Sequence, residues 1–387
     1  MSANTPSTTL LATRVDLADT FRLHSRPEAS KTIYLDFNGH TTTGTSWNVQ
    51  AKREAINTPI FNSDANTAAF SDAELERIQF IWQRVAEDFL PFGVNVTTED
   101  PGEEALVNTG GEDDQWGVRA AIGGTNKDWL NNAGSGGISY YKGFGSARCG
   151  PVFVFTGNLS KGNEKNTAEA ISHEVGHSLG LVHDHTVKSD YFSGQGTGPT
   201  GWAPIMGNAY GKPLSQWSHG EFKGSVNQED DLAIIASPQN GLGFRSDDFA
   251  DSITKATPLI GPSLNQFGII FTRNDTDWFS FVTGTGTVSL VVENATQAWI
   301  SDGSGYFTST LLIGRGPNLD IEAKVFTTDG TLVAANNSKG TGASFDLTLT
   351  AGTYYLQVDG VGFGDPLKNG YSDYGSLGGY LVSGSLA

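Results

Sequence analysis

Four of the seven histidines in this 387-residue chain fall between His173 and His185. The surrounding sequence is Ile171-Ser172-His173-Glu174-Val175-Gly176-His177-Ser178-Leu179-Gly180-Leu181-Val182-His183-Asp184. It fits His-Glu-x-x-His-x-x-Gly-x-x-His at every fixed position, and each position has a physical reason. Residues four apart on a helix share a face and stand about 6 Å apart along the axis. His173 and His177 can therefore present two imidazoles to one tetrahedral zinc at about 2.0–2.1 Å. Glu174, next to the first ligand, projects beside the metal position and can accept a proton from metal-activated water. Gly180 is expected to end the helix in a left-handed conformation that a side chain resists. The chain then turns back and delivers His183 as third ligand. Three protein ligands leave a fourth position for water, as catalytic rather than structural zinc requires. The expected metal ligands are thus His173, His177 and His183, and the expected catalytic residue is Glu174.

The bland alternative is a chance His-Glu-x-x-His on an ordinary helix, which the short motif alone does not exclude. The two further fixed positions do most to exclude it, together with the crowding of side chains that are costly to bury unpartnered. His185 lies beside the cluster, but the Gly180-x-x-His183 spacing favours His183. His219, in Gln216-Trp217-Ser218-His219, reads as a surface or supporting residue. Cys149 lies inside the same region and reads as an inert thiol rather than a metal cap.

The elements that must carry these residues are legible on both sides. Thr32 to Phe37 alternates as a strand and stops at Asn38-Gly39. Ser71 with Glu74 forms a capping box. Leu75, Ile78, Trp82, Val85 and Phe89 then follow helical spacing until Pro91 and Gly93. Val94–Thr97, Val118–Ile122, Gly137–Tyr141 and Val152–Phe155 read as short strands, and Thr167–Leu179 as the motif helix. This alternation predicts a mixed α/β (α+β) domain. After about residue 240 the texture changes to short strands divided by Gly, Asn and Asp. Candidates are Trp278–Val282, Val288–Glu293, Ile321–Thr327, Phe345–Leu349, Tyr354–Val358 and Tyr380–Ser383. They predict an all-β sandwich.

Composition narrows the function. A net charge of −18 argues against nucleic acid as partner, since phosphate contacts need Lys and Arg. The single cysteine excludes an intramolecular disulfide. No apolar run is long enough for a transmembrane helix. The stretch Met1–Phe21 lacks a basic segment followed by an apolar one, so no ordinary signal peptide is legible.

The extended motif resembles that of the metzincin zinc metalloendopeptidases, and Asp184 after the third histidine is similar to the adamalysin/reprolysin branch. The resemblance covers about residues 31–240. Besides the motif it is carried by the first strand, by the long helix ending in Pro91-Phe92-Gly93-Val94, and by Gln216-Trp217-Ser218 through Asp230-Asp231-Leu232. It implies a methionine turn beneath the metal, for which Met206 in Ala203-Pro204-Ile205-Met206-Gly207 is the candidate. It also implies an antiparallel edge strand beside the cleft, with Gly137-Ile138-Ser139-Tyr140 as candidate; a peptide could pair there by strand addition. In some metzincins a tyrosine two residues after the methionine reaches the zinc. Position 208 here is Asn, and Tyr210 is the nearest tyrosine.

Residues 247–387 resemble the bacterial pre-peptidase C-terminal domain. The likeness rests on Asp247-Asp248-Phe249-Ala250, Asp275-x-Asp277-Trp278-Phe279, Ala351-Gly352-Thr353-Tyr354-Tyr355-Leu356 and Tyr374-Gly375-Ser376-Leu377-Gly378. Asp275 and Asp277 are either calcium ligands or loop caps.

Together these readings give a leader or short pro-segment over 1–30, a metzincin-like catalytic domain over 31–242 and a β-sandwich over 243–387. The expected protein is a secreted, monomeric endopeptidase with one catalytic Zn2+, a structural Ca2+ as a further candidate cofactor, and protein or peptide substrates. Water activated on zinc would hydrolyse the peptide bond with Glu174 as general base. The alternative is a catalytically inert, metal-containing adhesin or polymer-binding protein acting through its sandwich, which the intact Glu174 disfavours.

Overall fold

The computed structural model describes residues 14–64, 66–130, 134–337 and 340–387. Among them are four α-helices, α1 (Ser46–Ala51), α2 (Asp72–Asp88), α3 (Glu164–Leu179) and α4 (Asp231–Ile235). The capping box starts α2 where the sequence places it. The Ser71 N–H and hydroxyl both donate to the Glu74 carboxylate, at 3.0 and 3.1 Å. Its Ile78, Ile81, Trp82 and Val85 face are buried. Asn163 caps α3 by accepting from the Asn166 N–H at 3.1 Å. Gly180 ends it at φ +106°, as a helix-terminating glycine should.

The N-terminal half contains β1 (Leu23–His24), β2 (Lys31–Asp36), β3 (His40–Thr43), β4 (Ala55–Thr58), β5 (Val94–Thr97), β6 (Trp116–Ile122), β7 (Gly137–Ile138), β8 (Val152–Val154), β9 (Trp202–Pro204) and β10 (Leu214–Gln216). Strands β5, β2, β6 and β8 lie side by side and parallel. They are buried almost throughout, the signature of a parallel sheet covered on both faces. At its open edge β7 runs antiparallel to β8, pairing Gly137 with Val154 and Ile138 with Phe153.

The C-terminal half adds β11 (Thr257–Pro258), β12 (Ser263–Ile270), β13 (Thr276–Thr283), β14 (Gly286–Ser301), β15 (Phe307–Ile313), β16 (Ile321–Thr327), β17 (Leu332–Asn336), β18 (Ala343–Leu349), β19 (Gly352–Gly360) and β20 (Gly378–Ser385). One sheet has the order β11-β13-β19-β16-β17; β12, β20, β14 and β18 form the other. Burial alternates along β13 and β19, so each presents one face to the sandwich core.

The two halves share a sheet. The first part of β14 pairs with β18 and β20, whereas Ala295–Ser301 pairs with β15 and, at Trp299 and Ile300, with β1. Buried residues from both halves form one continuous apolar cluster. This arrangement includes part of the stretch expected to be a leader or short pro-segment. Residues 14–30 are woven into the fold, because Leu23 is fully buried and β1 joins β5 to β14. Residues 1–13 lie outside the described residues.

Candidate active site

Helix α3 brings His173 and His177 to the wall of a cleft of about 530 Å³, and the chain returning after Gly180 adds His183. One ligand nitrogen from each lies within 4.8 Å of the others. His177 Nε2 and His183 Nε2 face each other at 3.0 Å. Nitrogens bound to one tetrahedral zinc at about 2.0–2.1 Å stand about 3.3 Å apart, so the spacing suits a shared ion.

Protonation suits it too. His173 donates from Nδ1 to Ile205 O at 2.9 Å, and His177 from Nδ1 to Leu181 O at 2.8 Å. With those protons committed, each ring offers a bare Nε2 to the cleft. Burial, then the neighbouring His177, lowers His173 to about 3. Burial, then His177 and His185, lowers His183 to about 4. Burial also lowers His177. All three are neutral at pH 7, the state in which imidazole binds metal.

Glu174 lines the same cleft, and burial pushes its carboxyl up to about 8. It lies against the edge strand. A Cβ on Gly137 would stand 2.5 Å from Glu174 Cγ and 2.7 Å from its Oε1. A Cβ on Gly136 would stand 2.6 Å from the Tyr210 hydroxyl. The Gly136-Gly137 pair is thus what lets the edge strand approach both side chains.

Beneath α3, Met206 is fully buried, and its sulfur lies 2.6 Å from where a Gly176 Cβ would be. Gly176 is therefore the space into which Met206 fits, under the histidines. Asp184 anchors the turn through its main chain: its N–H donates to Met206 O at 2.9 Å, and its carbonyl accepts from the Phe192 N–H at 2.8 Å. His185 donates from Nδ1 to His183 O at 3.0 Å and stands outside the triad. His219 stacks on Tyr374 of the C-terminal half.

Tyr191 has no counterpart in the sequence reading. Its ring lies 4.2 Å from that of His183 and 6.0 Å from that of His173, and it lines the cleft with Tyr210. It sits in a loop eight residues past His183, where neither periodicity nor a motif marks it.

A second cluster occurs at the start of the sandwich. Asp247, Asp275 and Asp277 bring carboxylate oxygens within 4.8 Å of one another. Asp275 and Asp277 are buried, and one oxygen of each has no hydrogen-bond partner among the described residues.

Residues 114–218, from just before β6 through Met206 to Ser218, match the Reprolysin_5 model of metallo-peptidase family M12. That match is to a family of metallopeptidases and spans 105 of the 387 residues. Among solved structures it is similar to the pre-peptidase C-terminal domain of a collagenase from Bacillus anthracis. That similarity has 15% identity and a TM-score of 0.22, over 36% of this chain and 96% of the other. No curated protein matches. No helix among the described residues is long and apolar enough to cross a membrane.

Proposed function

We propose that the protein is a secreted zinc endopeptidase of the metzincin type. The observation that carries this is the His173, His177 and His183 triad converging beside a buried Glu174 in an open cleft. The three histidines would hold the ion through their bare nitrogens. When bound, zinc supplies Lewis-acid chemistry, polarising the scissile carbonyl and making water a nucleophile near neutral pH.

The chain's own groups do the rest. Substrate lies antiparallel to β7 at the open sheet edge, where an extended peptide can add to the ladder. Glu174 takes the proton of the attacking water and passes it to the leaving amine. A cation held by the three histidines would favour the ionised carboxylate that this role requires, offsetting the burial that raises it. Tyr191 and Tyr210 are phenols positioned to donate to the developing oxyanion. Met206 and Gly176 set the floor beneath the ligands. Asp247, Asp275 and Asp277 form the proposed structural calcium position, supported by the unpartnered buried oxygens of Asp275 and Asp277.

The test is casein cleavage by the purified protein beside its Glu174→Gln variant, with zinc measured on both. About one zinc in each, with turnover lost by roughly 10²-fold or more in the variant, is the expected result. Comparable cleavage by both would remove Glu174 from the reaction. Zinc in both with cleavage by neither would favour a binding protein.

A further inference from the structure

Much of the last turns of α2 is polar, buried and turned toward the C-terminal half. Gln83, Arg84, Glu87 and Asp88 are all nearly inaccessible to solvent. Gln83 Nε2 donates to Ile313 O at 2.7 Å, and Arg84 Nη1 to Arg315 O at 3.3 Å. Glu87 accepts from Thr296 Oγ1 at 3.2 Å and from the Gly379 N–H at 3.3 Å. All these partners come from residues beyond 295.

One link in this interface continues to the metal helix. Asn318, 4% exposed between β15 and β16, donates from Nδ2 to Asp88 Oδ1 at 2.7 Å. The other oxygen of Asp88 accepts from the hydroxyl of Ser172. Ser172 is fully buried in α3 and immediately precedes His173. The backbone of Asp88 accepts from Trp217 Nε1 at 2.6 Å, and the Trp217 ring lies beside Gly176 under the same helix. The carbonyl of Asn318 accepts from Gln216 Nε2. A single residue of the sandwich is therefore bonded on one side to the carboxylate that holds α3, and on the other to the segment bracketing α3 from below.

A second contact supports the methionine turn from the same half. Tyr371 packs with Trp202, Leu214 and Phe222 in a separate apolar cluster, and Trp202 opens the strand that runs into Met206. Gln195 donates from Nε2 to Gly370 O at 2.6 Å.

We infer that the C-terminal sandwich is a positioning clamp for the metal-binding helix, with Asn318 as the residue that transmits it through Asp88 to Ser172. The sandwich is then a working half of the peptidase and not a module that merely follows it. This inference rests on the reading of His173, His177 and His183 as zinc ligands. Asn318 touches no reacting atom, so its effect is on how well the site is held.

The experiment measures the zinc dissociation constant of the full chain by chelator competition. Asn318→Leu, of similar size, removes both the donor to Asp88 and its capacity to be replaced by water. Groups that orient metal ligands change affinity by about 10- to 100-fold when lost, and a weakening of that order is expected. Val325→Ala, a core truncation in the sandwich away from α2, is the control and is expected to leave zinc affinity unchanged while lowering the unfolding midpoint. Ser172→Ala cuts the same link from the other side. It should weaken zinc binding similarly, and the double variant should be no weaker than the stronger single one.

Unchanged affinity in Asn318→Leu overturns the clamp, as does equal weakening by Val325→Ala, which would report general destabilisation. If Asn318→Leu does not fold, unchanged affinity in Ser172→Ala overturns it in the same way. Absence of stoichiometric zinc in the unaltered chain is a different outcome and removes the ligand reading itself.

Discussion

Gly137→Ala tests whether the edge strand positions the base. The added methyl would stand 2.5 Å from Glu174 Cγ, 2.7 Å from Oε1 and 2.8 Å from Phe153 O. Carbon atoms in favourable contact stand about 3.5–4.0 Å apart. Glu174 must therefore move by about 1 Å, because the Phe153 carbonyl behind the strand blocks retreat. Misplacing a catalytic group by that distance costs roughly 10²-fold in rate, or about 2.7 kcal/mol of barrier. The expected result is a kcat reduced by about that factor, with zinc content retained. The assay is cleavage of a quenched fluorescent peptide under saturating substrate. Gly211→Ala, where a Cβ meets open space, is the control and should turn over normally. A Gly137→Ala enzyme with full zinc and kcat within about threefold of the parent would refute the placement of Glu174 against this strand, or its role as base.

Two further results follow from the site and from the acidic cluster. Tyr191→Phe should lower kcat by roughly 10²-fold with little change in KM, as loss of one oxyanion donor does; an unchanged kcat would leave the ring as packing on His183. Burial and neighbouring carboxylates raise Asp275 to about 7 and Asp277 to about 9, from the ordinary 3.8. The unfolded chain gives up those protons first, so calcium-free stability should fall as pH rises from about 4 toward 9. Calcium binds the ionised carboxylates and should restore the loss, most strongly at the alkaline end. Thermal unfolding at pH 8 that ignores both calcium and a chelator would rule out the cation position.

Elements whose determining interactions are local are legible in the sequence. The Ser71–Glu74 box, the strand Val94–Thr97 and the glycine end of α3 each depend on a few neighbouring residues, and the structure has them where expected. The convergence of His173, His177 and His183 is legible for the same reason: a helix turn and one glycine fix their spacing. What escaped depends on distant residues. Strand β12 is not among the sequence candidates, and Gly268 sits inside it where a Cβ would stand 2.4 Å from the Tyr380 hydroxyl. Asn294 reads as the end of a strand, yet β14 continues to Ser301. Its amide donates to Leu319 O at 2.9 Å and its oxygen accepts from Thr341 at 2.8 Å, so a buried polar residue is satisfied where the strand changes sheets. Likewise the expected edge strand Gly137–Tyr141 is ladder-paired only at Gly137 and Ile138. Tyr191 stands in an irregular loop eight residues past His183, and Asn318 meets Asp88 across 230 residues, so no local pattern identifies either.

The most direct test of the central claim is X-ray absorption at the zinc edge on the purified protein and on His183→Ala. Three imidazole nitrogens and one oxygen at about 2.0–2.1 Å in the parent, with one nitrogen lost or zinc absent in the variant, is the predicted result. A fourth protein ligand in the parent, or an unchanged zinc environment in His183→Ala, would contradict an open catalytic site built on this triad.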